Sequence, residues 1–120
     1  MPILGIDHVQ LAMPVSREDE ARDFYSGLLG LPEKGKPPEL AKRGGAWFES
    51  DAVKIHLGVE ADFRPARKAH PALLVRDLRE LVARLHQAGI EVVDDALAGY
   101  HRVYVSDPFG NRLELMEPIG

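Results

Sequence analysis

The spacing of hydrophobic residues changes along the chain in an order that suggests a strand and then a helix at the start. Residues 3–13 are rich in branched apolar side chains and stop at Pro14, which predicts a largely buried strand. Ser16 precedes Asp19 by three residues, as in a helix capping box, and Gly30 supplies a stop. The apolar residues between them share one helical face: Ala21, Phe24, Tyr25, Leu28 and Leu29.

The remainder of the first half has the pattern of β structure. Residues 31–45 contain three prolines and three glycines, which predicts a loop or an irregular edge strand, or alternatively a mobile cover over a site. Residues 45–50 and 53–60 predict a hairpin, and residues 61–68 a connector to the second half.

The second half repeats this order. Residues 69–75 predict a strand, Gly89 ends a helix, and residues 90–95 predict a further strand before a loop at 95–100. The apolar face of that helix consists of Leu78, Leu81, Val82 and Leu85. The turn sequence at 107–110 then predicts a last hairpin.

Length and composition favour one domain built from these two halves. With 120 residues and 45% hydrophobic content, residues 1–120 are expected to form a single α+β domain, with βαβββ modules at about 3–61 and about 68–118. The net charge of −4 and the lack of a basic stripe argue against a nucleic-acid partner. No basic leader or long apolar segment occurs at the N-terminus, so we expect a cytoplasmic protein without membrane association.

Superposing the two halves aligns residues that are able to bind metal. His8 aligns with His70, and His56 aligns with Glu114, each pair being about 60 residues apart. Because the chain has no cysteine, nitrogen and oxygen must bind any metal. Three imidazoles and a carboxylate suit zinc, nickel, manganese or ferrous iron. The repeat therefore predicts a mononuclear divalent-metal site, although each residue alone is also typical of an ordinary strand position.

Strand alternation places these residues on polar faces. Ile55 and Leu57 flank His56 and point to the opposite face, and Leu113 and Leu115 do the same around Glu114. We therefore expect the candidate ligands to line a cleft, with the helices on the other side of the sheet.

Other aromatic and basic residues are given weaker assignments. His86 is expected at the rim of the second helix without a role, and the segment 100–102, with His101 and Arg102, either faces the cleft or simply enters a strand. Core or dimer packing is expected for the large aromatic residues Trp47, Phe48 and Phe63.

Three segments resemble a known superfamily: IDHVQLAMP at 6–14, EARDFYSGLLGLP at 20–32 and VYVSDPFGNRLELMEP at 103–118. They are similar to the vicinal oxygen chelate superfamily, which includes glyoxalase I, fosfomycin-resistance proteins, methylmalonyl-CoA epimerase, extradiol dioxygenases and bleomycin-resistance proteins. The resemblance covers nearly the whole chain. Its most specific part is the DP-x-GN-x-x-E-L pattern at 107–115.

This resemblance implies two βαβββ modules in tandem that form a cup-shaped mixed sheet with helices outside, commonly completed in a homodimer. The ligand positions of glyoxalase-like members are held here by His8, His56, His70 and Glu114. Glyoxalase I generally has a carboxylate at the position of His56, which argues against a standard glyoxalase I. His8, His70 and Glu114 resemble the two-histidine, one-carboxylate triad of non-haem iron oxygenases and the triad of fosfomycin-modifying transferases.

Two functions follow from the resemblance. The first is a metal-dependent enzyme, a glyoxalase-like lyase or isomerase or a dioxygenase, which stabilises an enolate or oxyanion of a small oxygenated metabolite by Lewis-acid catalysis. Glu114 would be a ligand and the catalytic base, and Arg67, Lys68 and Arg102 are candidate anion contacts. The alternative is a metal-free protein that binds a small molecule or antibiotic, as bleomycin-resistance proteins do. A metal-binding paralogue without a substrate is a third hypothesis.

Overall fold

The computed structural model describes residues 1–120, which divide into two compact units, Met1–Arg64 and Pro65–Gly120. Each unit contains one four-stranded mixed sheet and repeats the predicted βαβββ order, so the α+β fold class is confirmed. None of the helices is both long and apolar enough to cross a membrane.

The first unit consists of β1 (Val9–Met13), α1 (Glu18–Ala21), a π-helical segment (Arg22–Leu28), β2 (Glu33–Lys34), α2 (Pro38–Ala41), β3 (Ala46–Glu49) and β4 (Lys54–Val59). The strand order is β1-β4-β3-β2, with β1 parallel to β4 and the other neighbours antiparallel. The helical face predicted around Tyr25 packs on this sheet, where the Tyr25 and Phe48 rings stack at 5.5 Å. Both side chains are fully buried, together with Met13, Ile55 and Leu57.

The second unit consists of β5 (Ala72–Leu74), α3 (Leu78–Gln87), β6 (Val93–Asp94), β7 (Tyr100–Ser106) and β8 (Arg112–Pro118). The order β5-β8-β7-β6 repeats that of the first sheet, again with one parallel pair, β5 with β8. Its core is formed by one face of α3 and the inward residues of β7 and β8, among them Leu85, Val105, Leu113 and Leu115. The predicted turn at 107–110 is confirmed, and Gly110 adopts a positive φ of 93° there.

The first strand is shorter than predicted. Residues 1–8 lie outside β1, and Ile3, Leu4 and Ile6 are 74%, 97% and 84% exposed, so the expectation of a buried strand from residue 3 is wrong before Val9. The physical reason is that β1 has only β4 as a hydrogen-bonded neighbour, and Val9 already pairs with Ile55, the second residue of β4. The strands predicted at 69–75 and 90–95 are also shorter than expected. They correspond to β5 and β6, which lie at the edges of the second sheet.

The predicted capping box is also wrong. Arg17 occupies the N-cap position of α1 without a capping side chain, and Ser16 has a φ of 63°. A capping serine needs the extended backbone that lets its oxygen reach the first N–H groups of the helix, and this left-handed residue does not have it. The predicted stop at Gly30 is confirmed by its φ of 78°, a conformation that glycine adopts without strain.

Residues 31–45 form an edge strand, as predicted, followed by the short helix α2, which was not predicted. The end of this segment is fixed to the rest of the unit. The Gly45 N–H donates to the Glu18 carboxylate at 2.9 Å, and the Lys36 ammonium donates to the Gly44 carbonyl. Gly45 has a φ of 82°, and a Cβ there would overlap the Leu57 carbonyl oxygen, so only glycine fits.

Candidate functional site

His56 lies buried on the face of the first sheet that is turned away from the core. It is 5% exposed, and its flanking residues Ile55 and Leu57 point into the core, as strand alternation predicts. Gln10 on β1 and Trp47 on β3 are its cross-strand neighbours. A row of polar and aromatic side chains therefore crosses the sheet at this level.

Two rings enclose the imidazole of His56. The Trp47 ring stacks on it at 4.3 Å with an interplanar angle of 7°, and the His8 ring stacks on it at 4.2 Å and 20°. The Glu49 carboxylate accepts a hydrogen bond from Nε2 at 2.6 Å. We name His8, Trp47, Glu49 and His56 the His56 cluster. Trp47 therefore does not belong to the core, and dimer packing stays a prediction for it, whereas Phe48 is in the core as expected.

Glu49 is an ionised partner that was not predicted from the sequence. The hydrogen bond from His56 lowers the pKa of Glu49, and this effect outweighs burial, with a further contribution from the Lys34 ammonium at 3.5 Å. A carboxylate that accepts from Nε2–H leaves Nδ1 of a neutral His56 with its lone pair. Strand alternation could have predicted this contact, because Glu49 lies two residues after Trp47 in β3 and therefore on the same face.

His8 lies just before β1 and is oriented by an acidic neighbour. Its Nδ1 donates to the Asp7 carboxylate at 2.9 Å, and Asp7 is also 3.5 Å from the Lys54 ammonium. These contacts lower the pKa of Asp7, chiefly through the hydrogen bond from His8. In neutral His8 this arrangement leaves the Nε2 lone pair available to a ligand.

His70 and Glu114 meet directly in the second unit. His70 Nδ1 donates to the Lys68 carbonyl at 2.8 Å, and Nε2 lies 2.9 Å from Glu114 Oε1. Glu114 is 7% exposed and also accepts from the Tyr104 hydroxyl at 3.3 Å and from the Arg102 guanidinium at 3.4 Å. We call these two residues the His70–Glu114 pair.

The surroundings of Glu114 keep its carboxyl group ionised. Burial by itself raises the pKa of Glu114, but hydrogen bonds from His70, Arg102 and Tyr104 together outweigh it and leave the pKa below its ordinary value. Glu114 therefore carries a negative charge at neutral pH, as a metal ligand requires.

The chemistry of this pair fits a divalent cation. A carbonyl can only accept, so Nδ1 of His70 carries a proton, and Nε2 can donate to Glu114 only if the ring holds a second proton. A divalent cation in place of that second proton would be bound by the Nε2 lone pair of His70 and by the Glu114 carboxylate. Two donors about 2.1 Å from one ion and at right angles are about 3.0 Å apart, which matches the 2.9 Å between Nε2 and Oε1.

The four predicted ligands are distributed as two pairs. His8 and His56 meet in the first unit, and His70 and Glu114 meet in the second. Neither unit by itself contains a group of three or more histidine, aspartate or glutamate side chains that is arranged to hold a metal ion. Each pair alone provides fewer ligands than the three or four that protein metal sites usually have.

The remaining residues considered in the sequence differ in whether they face the candidate site. Arg102 lies beside Glu114, whereas His101 is exposed and pairs with Glu117 in the strand register, so only the first faces the candidate site. Lys68 contributes its carbonyl oxygen to His70. His86 is exposed on α3, in keeping with its lack of an assigned role.

Comparison with known proteins decides the family. The sequence profile of the Glyoxalase/Bleomycin resistance protein/Dioxygenase superfamily matches residues 5–115. The chain belongs to this superfamily. The predicted resemblance is therefore confirmed. No curated protein sequence matches this member of the superfamily.

Solved structures share the fold of this superfamily member. A protein from Bacillus anthracis described as glyoxalase family is 53% identical, with a TM-score of 0.93 over 98% of this chain and 97% of that one. A glyoxalase/dioxygenase from Nostoc punctiforme is 21% identical, with a TM-score of 0.74 over 92% and 90% of the two chains. The fosfomycin resistance protein FosX from Listeria monocytogenes, in complex with Mn(II) and sulfate, is 15% identical, with a TM-score of 0.78 over 98% and 92%. The last two likenesses concern the fold alone.

Proposed function

We propose that this protein is a metal-dependent vicinal oxygen chelate enzyme that acts on a small oxygenated metabolite, as a glyoxalase-like lyase or isomerase or as a dioxygenase. The observation that carries the proposal is the His70–Glu114 pair, with Nε2 and Oε1 2.9 Å apart and the other ring nitrogen tied to a carbonyl. His8 would complete a triad, and His56 would be the fourth ligand. The ion would be zinc, nickel, manganese or iron, and the Mn(II) of the structurally similar FosX lends support.

The bound ion would act as a Lewis acid on neighbouring oxygens of the substrate. Tyr104 and Arg102 hold the Glu114 carboxylate in place, and Asp7 and Glu49 orient the two histidines of the first unit. Hydrogen bonds from Arg102 and Tyr104 favour the ionised form of Glu114, which suits the role of ligand. As the catalytic base, Glu114 would accept the proton that the substrate loses.

We further propose that the complete site is shared between two copies in a homodimer. The first unit of one copy would supply His8 and His56, and the second unit of its partner would supply the His70–Glu114 pair. Two observations support this: each unit holds only one pair of the predicted ligands, and the apolar residues Ile3, Leu4 and Ile6 are exposed at the N-terminus. The cytoplasmic location expected from the sequence stays a prediction.

Metal analysis of protein purified without chelator tests the metal centre. We expect one divalent ion per chain in the wild type and loss of that ion in His70→Ala and Glu114→Gln, because each change removes a ligand from the pair. The control His86→Ala changes an exposed histidine on α3 and should keep the ion. Circular dichroism verifies that each variant is folded. A folded wild type that neither contains nor binds zinc, nickel, manganese or iron would contradict the proposal and favour the metal-free binding protein.

A further inference from the structure

A cavity of about 690 Å³ opens in the second unit next to the His70–Glu114 pair. Tyr104 forms part of its wall and also donates its hydroxyl to Glu114, so the cavity and the pair share one side chain. The volume is in the range of sites for small ligands. It is therefore large enough for a small metabolite.

Two arginines line this cavity. Arg112 lies on β8, two residues before Glu114 on the same strand face, which places the two about 7 Å apart along the strand. Arg67 reaches the cavity from the chain segment whose Ala66 carbonyl accepts a hydrogen bond from the Arg112 backbone N–H.

The guanidinium of Arg112 is held in position without an acidic partner. It stacks over the Tyr104 ring, 3.8 Å from the centroid, and forms no ion pair, and Arg67 forms none either. Arg102 differs, because it is paired with both Asp95 and Glu114. A stacked guanidinium keeps its N–H donors free for a planar or tetrahedral oxyanion, to which it can bind in a bidentate manner.

The charged residues of the cavity wall differ in how strongly solvent screens them. Glu91, Asp94 and Arg67 are exposed, so water and salt screen their charges, and Asp95 is engaged by Arg102 at 3.3 Å. Arg112, which is half-buried, is therefore the charge of this wall that solvent screens least.

We propose that Arg67 and Arg112 form an anion subsite that binds a carboxylate or phosphate-type group of the substrate. This inference deepens the proposed function and rests on it for one part: the oxygenated end of the same molecule would lie at the His70–Glu114 pair. The substrate class is thus a small oxygenated metabolite that carries a carboxylate or a phosphate at a short distance from its reacting oxygens.

Titration of the full-length protein with inorganic phosphate and, separately, with succinate at constant ionic strength tests the subsite. The NMR signals of the arginine side-chain N–H groups give the binding curve. We expect saturable shifts for Arg112, and about tenfold weaker binding in Arg112→Gln and Arg67→Gln, because each loses a charged donor. Arg112→Lys, which keeps the charge, should lose less. Tighter binding of phosphate or of succinate then indicates which group the substrate carries.

The matched control is Arg84→Gln, an exposed arginine on α3, which should bind both anions as the wild type does. Equal binding in Arg112→Gln and Arg84→Gln, or shifts that never saturate, would overturn the subsite. Glu114→Gln separates the two proposals. It should lose the metal ion and keep anion binding, so a protein that binds anions at Arg112 without ever binding metal retains the subsite and loses only the metal centre.

Discussion

Trp47 is the only tryptophan of the chain, and its ring lies against His56. Its fluorescence therefore reports on one predicted ligand without interference from other indoles. Bound Ni(II) is expected to quench this emission, because the ion would lie on an imidazole in van der Waals contact with the indole. A fluorescence titration should show quenching that saturates at one ion per chain.

His56→Ala and His101→Ala form the matched comparison for this titration. Loss of His56 should weaken the quenching strongly, whereas loss of the exposed His101 should leave it unchanged. Stoichiometric Ni(II), found by metal analysis, with unchanged Trp47 emission would show that His56 is not a ligand. The metal would then depend on His8, His70 and Glu114 alone.

At the scale of single residues, alternation along the strands predicted the faces of His56 and Glu114, because each is flanked by leucine or isoleucine. It did not predict the partners of these residues. Glu49 and Tyr104 come from neighbouring strands, and their contacts depend on strand register. Register is set by pairing between segments that are distant in sequence, so no local pattern around His56 or Glu114 contains it.

Among the elements, α3 is fixed to the second sheet by an acidic side chain of β8. The Glu117 carboxylate accepts hydrogen bonds from the backbone N–H groups of Asp77 and Leu78, at 2.8 and 3.1 Å, where the helix begins. These bonds lower the pKa of Glu117 below its ordinary value of about 4.5. Ionised Glu117 therefore stabilises the fold above that pH, and the contribution is lost as the pH falls through its lowered pKa.

We expect Glu117→Gln to unfold more easily than the wild type at pH 6, with a difference that shrinks steadily below pH 4.5 as the wild-type carboxyl group is protonated. Urea unfolding at a series of pH values measures this. Glu80→Gln removes the same charge from the first turn of α3 and should show a smaller pH-dependent difference. A Glu117→Gln difference that is constant from pH 6 to pH 3 would contradict the assignment.

Element order was more predictable than element length. The helix at Leu78–Gln87 and the hairpin around 107–110 follow from local spacing and turn residues, and both are confirmed. The edge strands β1, β5 and β6 are shorter than predicted, because a strand extends only where a neighbour offers hydrogen bonds. Ser16 does not cap the helix because its backbone is left-handed. The residue type alone does not predict that conformation.

On the scale of the whole molecule, the internal repeat predicted which residues belong together and left open which chains supply them. His8 and His56 form one pair, and His70 and Glu114 form the other. A chain with two incomplete pairs provides a full ligand set if a second copy contributes the missing half. In the proposed homodimer this pairing would depend on the contact between copies, on which the sequence contains no information beyond the family resemblance.

A complementation experiment tests the shared metal centre most directly. His8→Ala disables the first-unit pair and Glu114→Gln disables the second, so each homodimer alone should bind no ion. A heterodimer of the two variants, isolated with two different tags, contains one intact combination of first and second units and should bind one divalent ion. A wild type with one ion per chain and a heterodimer with none would contradict the site shared between copies, and a wild type without any ion would contradict the metal centre itself.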